Sequence, residues 1–398
     1  MPNPYIYGSM VTQPAMFFGR TAELDTIRTR LRAMQSTSIV GLRRIGKSSL
    51  LYQLSQTLRN ELGPNYRPLY ISLQDARFRT VTGFVQQVAM KLNAQTGGTS
   101  TANNVTDMSS FSAMIENLNN QGIRPVLCLD EFEEFMQHSH EFNNDFLEAL
   151  RSLGTIAHLA IVTTSQTPLV DLIRYRGLTS PFYNIFSEIE LGLLELDAAQ
   201  SLWRDPFKQE QITLSPEDEA LLQKLGGRHP FYLQMACDFL YKALSQSPSA
   251  RADTVRDRFS REAEPHFEHL WEHLKADEQI VLRVVDRKAI PTGEDKKTLK
   301  RLERLGVVEH TQGNWHIFSA IFAERVWEYP IRQESAPVPQ PGDNANEAVD
   351  RNLLWVTGIL FILMFILLAI GLAFGSAPLV LLAVIPAGIL LFLILECI

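Results

Sequence analysis

The sequence predicts an α/β fold, a parallel sheet with helices on both faces, organised around a phosphate-binding loop. Three observations carry this reading. Gly41 to Ser48 read GLRRIGKS, which matches G-x-x-x-x-G-K-[ST] between a strand end at Ser38-Ile39-Val40 and a helix start at Ser49-Leu50-Leu51. Roughly eighty residues later an apolar run, Pro125 to Leu129, ends in Asp130-Glu131. A further run, Leu159 to Thr163, is followed by Thr164-Ser165. Strands alternating with helices give a parallel sheet covered on both faces.

Each residue type in the octet has a physical task. Gly41 and Gly46 let backbone N–H groups turn inward around phosphate oxygens. Lys47 places a point charge on the β- and γ-phosphates, and the Ser48 hydroxyl ligates Mg²⁺. The helix that follows aims its N-terminus at the anion. Arg43, Arg44 and Ser49 complete the candidate nucleotide-binding residues of this stretch. Leu69 to Leu73 supplies the next strand. Asp130, at a strand end, would hold Mg²⁺ opposite Ser48, and Glu131 is placed to polarise an attacking water as general base. An acid followed by glutamate after an apolar strand is the second motif of ASCE-type nucleoside triphosphatases. Thr164 and Ser165 are both candidates for a polar residue beside the γ-phosphate; a strand end capped by small hydroxyls is the alternative.

From about His266 the pattern suggests a winged helix. Asp277 to Val285 has helical apolar spacing, and Lys296 to Leu305 is a second helix stopped by Gly306. Val307 to His310 and Trp315 to Phe318 flank Thr311-Gln312-Gly313-Asn314 as a hairpin. Lys296, Lys297, Lys300, Arg301 and Arg304 would suit a DNA groove. Acids are as frequent nearby, for example Glu303 and Glu309, so a solvated face or a surface packed on the core is the competing and favoured reading.

The chain has 398 residues and a net charge of -7, which allows two to three units and argues against a protein dominated by nucleic-acid binding. Cys128, Cys237 and Cys397 lack C-x-x-C spacing, so neither a disulfide framework nor a zinc site is expected, as suits a reducing cytosol. The opening MPNPYIYGSM carries no secretory signal. No charged residue occurs from Leu353 to Leu395. Residues 353–374 would make a helix of about 33 Å and 379–395 one of about 26 Å, lengths that predict a transmembrane hairpin; one span with a re-entrant second segment is the alternative. Arg351 flanks its entry and the turn has no basic residue, which places the large N-terminal part in the cytosol. Residues 331–350, rich in proline and acids, predict a flexible linker.

At this point a resemblance becomes specific. Phe17-Phe18-Gly19-Arg20 with Glu23-Leu24 resembles the F-x-G-R-x-x-E-L box before the phosphate loop in the AAA+-related STAND and archaeal-type ATPases. Asn3-Pro4-Tyr5 with Gly8 is similar to the lead-in of some members, and Gly41 to Leu51 takes the form G-x-R-R-x-G-K-[ST]-S-L-L common in that group. Gly226 to Gln234 resembles the G-G-x-P-x-x-x-Q stretch of its helical lid. The resemblance covers Asn3 to Pro330. It implies ATP with Mg²⁺, Gly19 and Arg20 in the nucleotide site, Pro230 packed near adenine, and His229 approaching the phosphates. An Arg is inserted before His229-Pro230, and on residues alone this pair is simply a helix start. Family members carry an Arg near residues 180–184; here Arg174 and Arg176, slightly upstream, are the candidates for a charge on a γ-phosphate. No repeat of sensor type is present, so the input side of a switch would belong to a separate sensor or effector protein.

The expected organisation is therefore an ASCE-type ATPase core at 1–190, a helical lid at 191–262, a winged helix at 263–330, the linker at 331–350 and the hairpin at 351–398. The functional expectation is a membrane-anchored switch at the inner or plasma membrane, its ATPase part cytoplasmic. It would bind and slowly hydrolyse ATP, oligomerise with copies of itself according to whether ATP or ADP is bound, and act through the hairpin in bacterial signalling or defence. A membrane-tethered DNA-binding ATPase is the alternative. A non-hydrolysing scaffold is a third reading, against which the intact Glu131 counts.

Overall fold

Five strands form one parallel sheet in the order β2-β3-β4-β1-β5: β1 (Ser36–Val40), β2 (Tyr66–Ser72), β3 (Arg124–Asp130), β4 (Ala160–Ser165) and β5 (Phe186–Glu190). The computed structural model describes residues 3–97, 104–246, 251–288, 293 and 295–332. β1 and β4 are fully buried, as strands sandwiched between helix layers must be. β4 lies between β1 and β3, with Thr37 beside Val162 and Cys128 also beside Val162. This order aligns three strand ends: the phosphate loop after β1, Thr164-Ser165 closing β4, and Asp130-Glu131 closing β3. β5 was not anticipated from the sequence. Its Phe-Ser-Glu-Ile-Glu is too polar to read as a core strand, and as an edge strand it is half exposed.

The connecting helices are α1 (Thr21–Arg32), α2 (Lys47–Leu62), α3 (Val81–Thr96), α4 (Met108–Asn120), α5 (Glu133–Gln137), α6 (Asn144–Thr155) and α7 (Leu169–Tyr175). Leu24, Ile27 and Leu31 of α1 pack with Leu50, Leu54 and Leu58 of α2 on one face of the sheet. An aromatic group, including Phe84, Phe111, Phe135 and Phe146, fills the other.

Beyond β5 follow α8 (Leu196–Gln209), α9 (Pro216–Gly226), α10 (Pro230–Gln246) and α11 (Arg251–His273). Ser215 caps α9, its hydroxyl accepting from the Asp218 N–H, with Pro216 at the first helical position. Then come α12 (Ala276–Asp286), α13 (Asp295–Arg304), an antiparallel hairpin of β6 (Val308–Thr311) and β7 (Asn314–Ile317), and α14 (Ala320–Arg325). Gln312 and Gly313 both take positive φ, 52° and 79°, the type I′ geometry that matches strand twist across a two-residue turn. One apolar core joins these helices, from Trp203 and Phe207 through Tyr232 and Phe267 to Phe318 and Phe322.

One expectation needs correction. Among the described residues no helix is long and apolar enough to cross a membrane. The runs at 353–374 and 379–395 lie outside the described residues, as does most of the 331–350 stretch. The hairpin, membrane anchoring and a membrane location are therefore no part of the fold established here. Of the 331–350 stretch only residues 331–332 are described, and there the Arg332 N–H donates to Gln279 Oε1 at 2.6 Å, while Trp271 Nε1 donates to the Pro330 carbonyl at 2.8 Å.

Candidate nucleotide site

A cleft of about 480 Å³ opens over the C-terminal ends of β1 and β3. Of the residues singled out by sequence, Arg43, Arg44, Gly46, Lys47, Ser48, Ser49, Glu131 and Pro230 line it. Lys47 Nζ donates to the carbonyls of Gly41 at 2.7 Å and Leu42 at 3.0 Å. Burial brings its pKa down to about 8, against the pull of Glu133, Asp130 and Glu131. Gly46 sits at φ 102°, a conformation a side chain would resist, and Pro230 Cγ lies 4.0 Å from where its Cβ would be.

The Asp130 carboxylate is buried and receives three hydroxyls: Ser48 Oγ at 3.1 Å and Thr164 Oγ1 at 2.5 Å on Oδ1, and Tyr70 Oη at 2.7 Å on Oδ2. The Glu131 N–H donates to the same Thr164 Oγ1 at 3.0 Å. Glu131 itself holds φ 61°, a left-handed conformation that non-glycine residues adopt at a cost of roughly 1–3 kcal/mol and that clusters at functional sites. Burial first, then the charges of Asp130, Glu133 and Glu134, push its carboxyl up to about 7. A carboxylate near neutrality is matched to general-base work.

Six predicted residues lie elsewhere. Arg20 is buried and serves as a brace: its guanidinium donates to Glu23 Oε1 at 3.0 Å and to the carbonyls of Ile45 at 3.2 Å, Gly192 at 2.6 Å and Leu193 at 3.4 Å. Gly19 is there for close packing, since a Cβ would stand 2.6 Å from Ala198 Cβ. Ser165 Oγ donates to the Thr167 carbonyl at 2.7 Å, so Thr164 is the member of that pair that reaches the acidic corner. His229 is buried between Tyr232 and Phe318 and borders an adjoining pocket, not the cleft. Arg174 and Arg176 are exposed beside Tyr183 and Tyr175, outside the cleft lining. On α13, Arg301 pairs with Glu278 at 2.9 Å and Arg304 with Glu190 of β5 at 3.2 Å, so this helix is engaged with its own protein at its C-terminal half.

Sequence reasoning missed other lining residues. The segment from Ile6 to Val11 forms one wall; the Ile6 N–H donates to Gln234 Oε1 at 3.2 Å and the Val11 N–H to Ser49 Oγ at 3.0 Å. Glu133 Oε1 accepts from the Gln166 N–H, joining α5 to the residue after β4. Glu133, two places beyond Glu131, and Gln166, directly after Thr164-Ser165, could have been found by extending both motifs. Arg228, the inserted residue, donates from Nε to Glu309 at 2.8 Å and from Nη1 to the Leu194 carbonyl at 2.8 Å. Nothing local in the sequence announces that pairing.

A parallel sheet with a strand interposed between the loop strand and the acid strand, and a glutamate beside the acid, defines a P-loop nucleoside triphosphatase of the ASCE kind. The model of the family described as Novel STAND NTPase 2 matches residues 33–291, more than half of the chain. The protein belongs to that family and is an ATP-hydrolysing enzyme of the P-loop class. Among solved structures it is similar to the Walker-type ATPase PABY2304 of Pyrococcus abyssi, at TM-score 0.55 and 15% identity over 80% of this chain and 99% of that one. The ORC2 protein of Aeropyrum pernix follows at TM-score 0.49 and 15% identity, over 81% of this chain and 97% of that one. A STAND protein of Pyrococcus horikoshii with a tetratricopeptide repeat sensor reaches TM-score 0.34 and 18% identity, over 83% of this chain and 45% of that one. No curated protein sequence matches.

Proposed function

We propose that the chain is a nucleotide-operated switch in which ATP occupancy of the loop is relayed to the C-terminal helices and controls self-association. The observation that carries this is a continuous set of contacts leading away from the loop. Arg20 joins the Ile45 carbonyl of the loop to Gly192 and Leu193. A Cβ on Gly306, just past α13, would lie 3.1 Å from Leu193 N and 3.3 Å from Ile45 Cδ1. Arg304–Glu190 and Arg228–Glu309 tie the same segment to α13 and to β6. A displacement of the loop by phosphate thus meets packed backbone at every step, and packed interfaces move between discrete arrangements.

In this reading Lys47 and the loop N–H groups hold the phosphates, and Glu131 accepts a proton from the attacking water. Thr164 fixes Glu131 through its N–H. Ser48 and Asp130 would hold Mg²⁺, and they fit it: a hydroxyl and a buried carboxylate oxygen stand 3.1 Å apart at the cleft. Among the described residues no cluster of three His, Cys, Asp or Glu could hold a metal alone, which accords with an ion shared with substrate phosphates. When bound, the ion neutralises charge on the β- and γ-phosphates. Pro230, Phe231 and the Ile6–Val11 wall would receive the base.

Sedimentation of the full chain with ATP, with ADP and without nucleotide tests the switch. Wild type should change its association state with ATP and Lys47→Ala should not. Equal sedimentation of the two proteins with ATP would overturn it.

A further inference from the structure

A second pocket of about 200 Å³ adjoins the nucleotide cleft and shares Arg43, Arg44 and Gln166 with it. Its remaining walls come from the lid, with His229 and Tyr232, and from α11, with His266, His269 and His273. The three α11 histidines are spaced three and four residues apart and so share one helix face. No carboxylate lines the pocket. Among the described residues neither arginine has an ion-pair partner; Arg44 rests on the Phe231 ring, 4.2 Å from its centroid.

Two ring nitrogens there are buried without a hydrogen-bond partner, Nδ1 of His229 and Nε2 of His269. His229 is 3% exposed, so the omission cannot be made good by bulk water. His273 Nδ1 bonds the His269 carbonyl at 2.7 Å, and the two rings stand 4.0 Å apart. Buried polar groups are nearly always paired, so unpaired ones in a pocket point to a ligand. A cation is the wrong ligand, because two guanidiniums face the space and no carboxylate lines it.

We propose that this pocket is a second anion site that takes a phosphate group, either product phosphate leaving the cleft or free phosphate from solution. A small oxyanion matches the volume, the donors and the shared arginines. The product route rests on the hydrolytic reading above; the pocket itself does not.

Proton linkage follows from the surrounding charges. Facing the rings are Arg43 and Arg44 from the loop and His229 from the lid, while Glu262 and Glu272 of α11 act on Arg44 and His269. Burial, then Arg44 and Arg43, brings His266 down to about 4, and burial with His273 lowers His269. A bound anion offsets that positive field and favours protonated rings, so binding should strengthen as pH falls.

The test uses the full chain, titrated calorimetrically with inorganic phosphate and with sulfate, in wild type, Lys47→Ala and the double variant His269→Gln/His273→Gln. Both anions should bind wild type and Lys47→Ala, which disables the loop's own phosphate site. Sulfate, whose charge is constant in this range, should bind about tenfold more tightly near pH 6 than near pH 8. The double variant should lose about tenfold or more in anion affinity while its ADP affinity and circular dichroism stay unchanged. Single-turnover phosphate release then separates the sources: release altered in the double variant identifies product phosphate, and unaltered release identifies free phosphate, both in support of the pocket. Anion binding equal in wild type and the double variant, lost in Lys47→Ala, or absent altogether would overturn the proposal. A wild type that binds phosphate but not ADP would support the pocket and count against the nucleotide reading alone.

Discussion

Thr164 holds two groups of the acidic corner with one hydroxyl, donating to Asp130 and accepting from the Glu131 N–H. Thr164→Val keeps the shape and removes both bonds, at a cost of about 1–3 kcal/mol for buried groups left short of partners. The urea midpoint should fall accordingly and kcat should drop by about tenfold or more; wild-type turnover would contradict the role given to Thr164. The pH profile is a second check at this scale. Glu131 must be ionised to accept a proton and stands near 7; Lys47 must be charged to attract phosphate and stands near 8. Because kcat/KM reports the free enzyme, it should rise as pH passes through the first value and fall as pH passes through the second. A flat profile from about pH 6 to about pH 9 would show that neither group governs turnover.

Among the elements, the segment between β5 and α8 matters most, because the loop, the lid and the end of α13 all meet it. Arg20 supplies three of those contacts from a buried position. Arg20→Met would strand the carbonyls of Ile45 and Gly192 and should cost roughly 2–3 kcal/mol, read as a lowered denaturation midpoint. Gly227 is the corresponding joint in the lid. At φ 55° its missing Cβ would fall 2.0 Å from the Phe318 carbonyl oxygen, so Gly227→Ala should force the α9–α10 corner away from residue 318. The expected result is a loss of several kcal/mol or an unfolded lid, with Gly313→Ala, where nothing lies within 4 Å of the added Cβ, as the milder control. These joints explain why β5 and Arg228 escaped sequence reading. β5 is polar in pattern, and the Arg228–Glu309 pair joins residues 81 apart in the chain.

For the whole molecule, ligand binding to the folded state alone adds stability by mass action. ATP at a hundred times its Kd should contribute about 2.7 kcal/mol, a rise of roughly 2–4 °C in Tm for a domain of this size. Lys47→Ala should show no such rise, and an equal shift in both proteins would place ATP binding elsewhere. If the loop is coupled to the C-terminal helices as the contacts suggest, protection from hydrogen exchange with ATP should extend beyond the loop to α13 and β6. Protection confined to residues near the loop would argue against the relay.

Sequence alone marked the candidate residues that are contiguous in the chain: the octet from Gly41, the Asp130-Glu131 pair, and Thr164 at a strand end. Such motifs are legible because a phosphate loop and a strand-end acid work through backbone turns and neighbouring residues. Only the tertiary structure shows that Thr164 and not Ser165 reaches Asp130, that Arg20 bonds the carbonyls of Ile45, Gly192 and Leu193, that Gly19 packs against Ala198, and that His229 borders a different pocket. It also brought Arg43 and Arg44 opposite the histidines of α11. Those outcomes depend on side chains separated by tens to hundreds of residues, whose meeting is fixed by how the sheet, lid and C-terminal helices pack, and no local pattern encodes that.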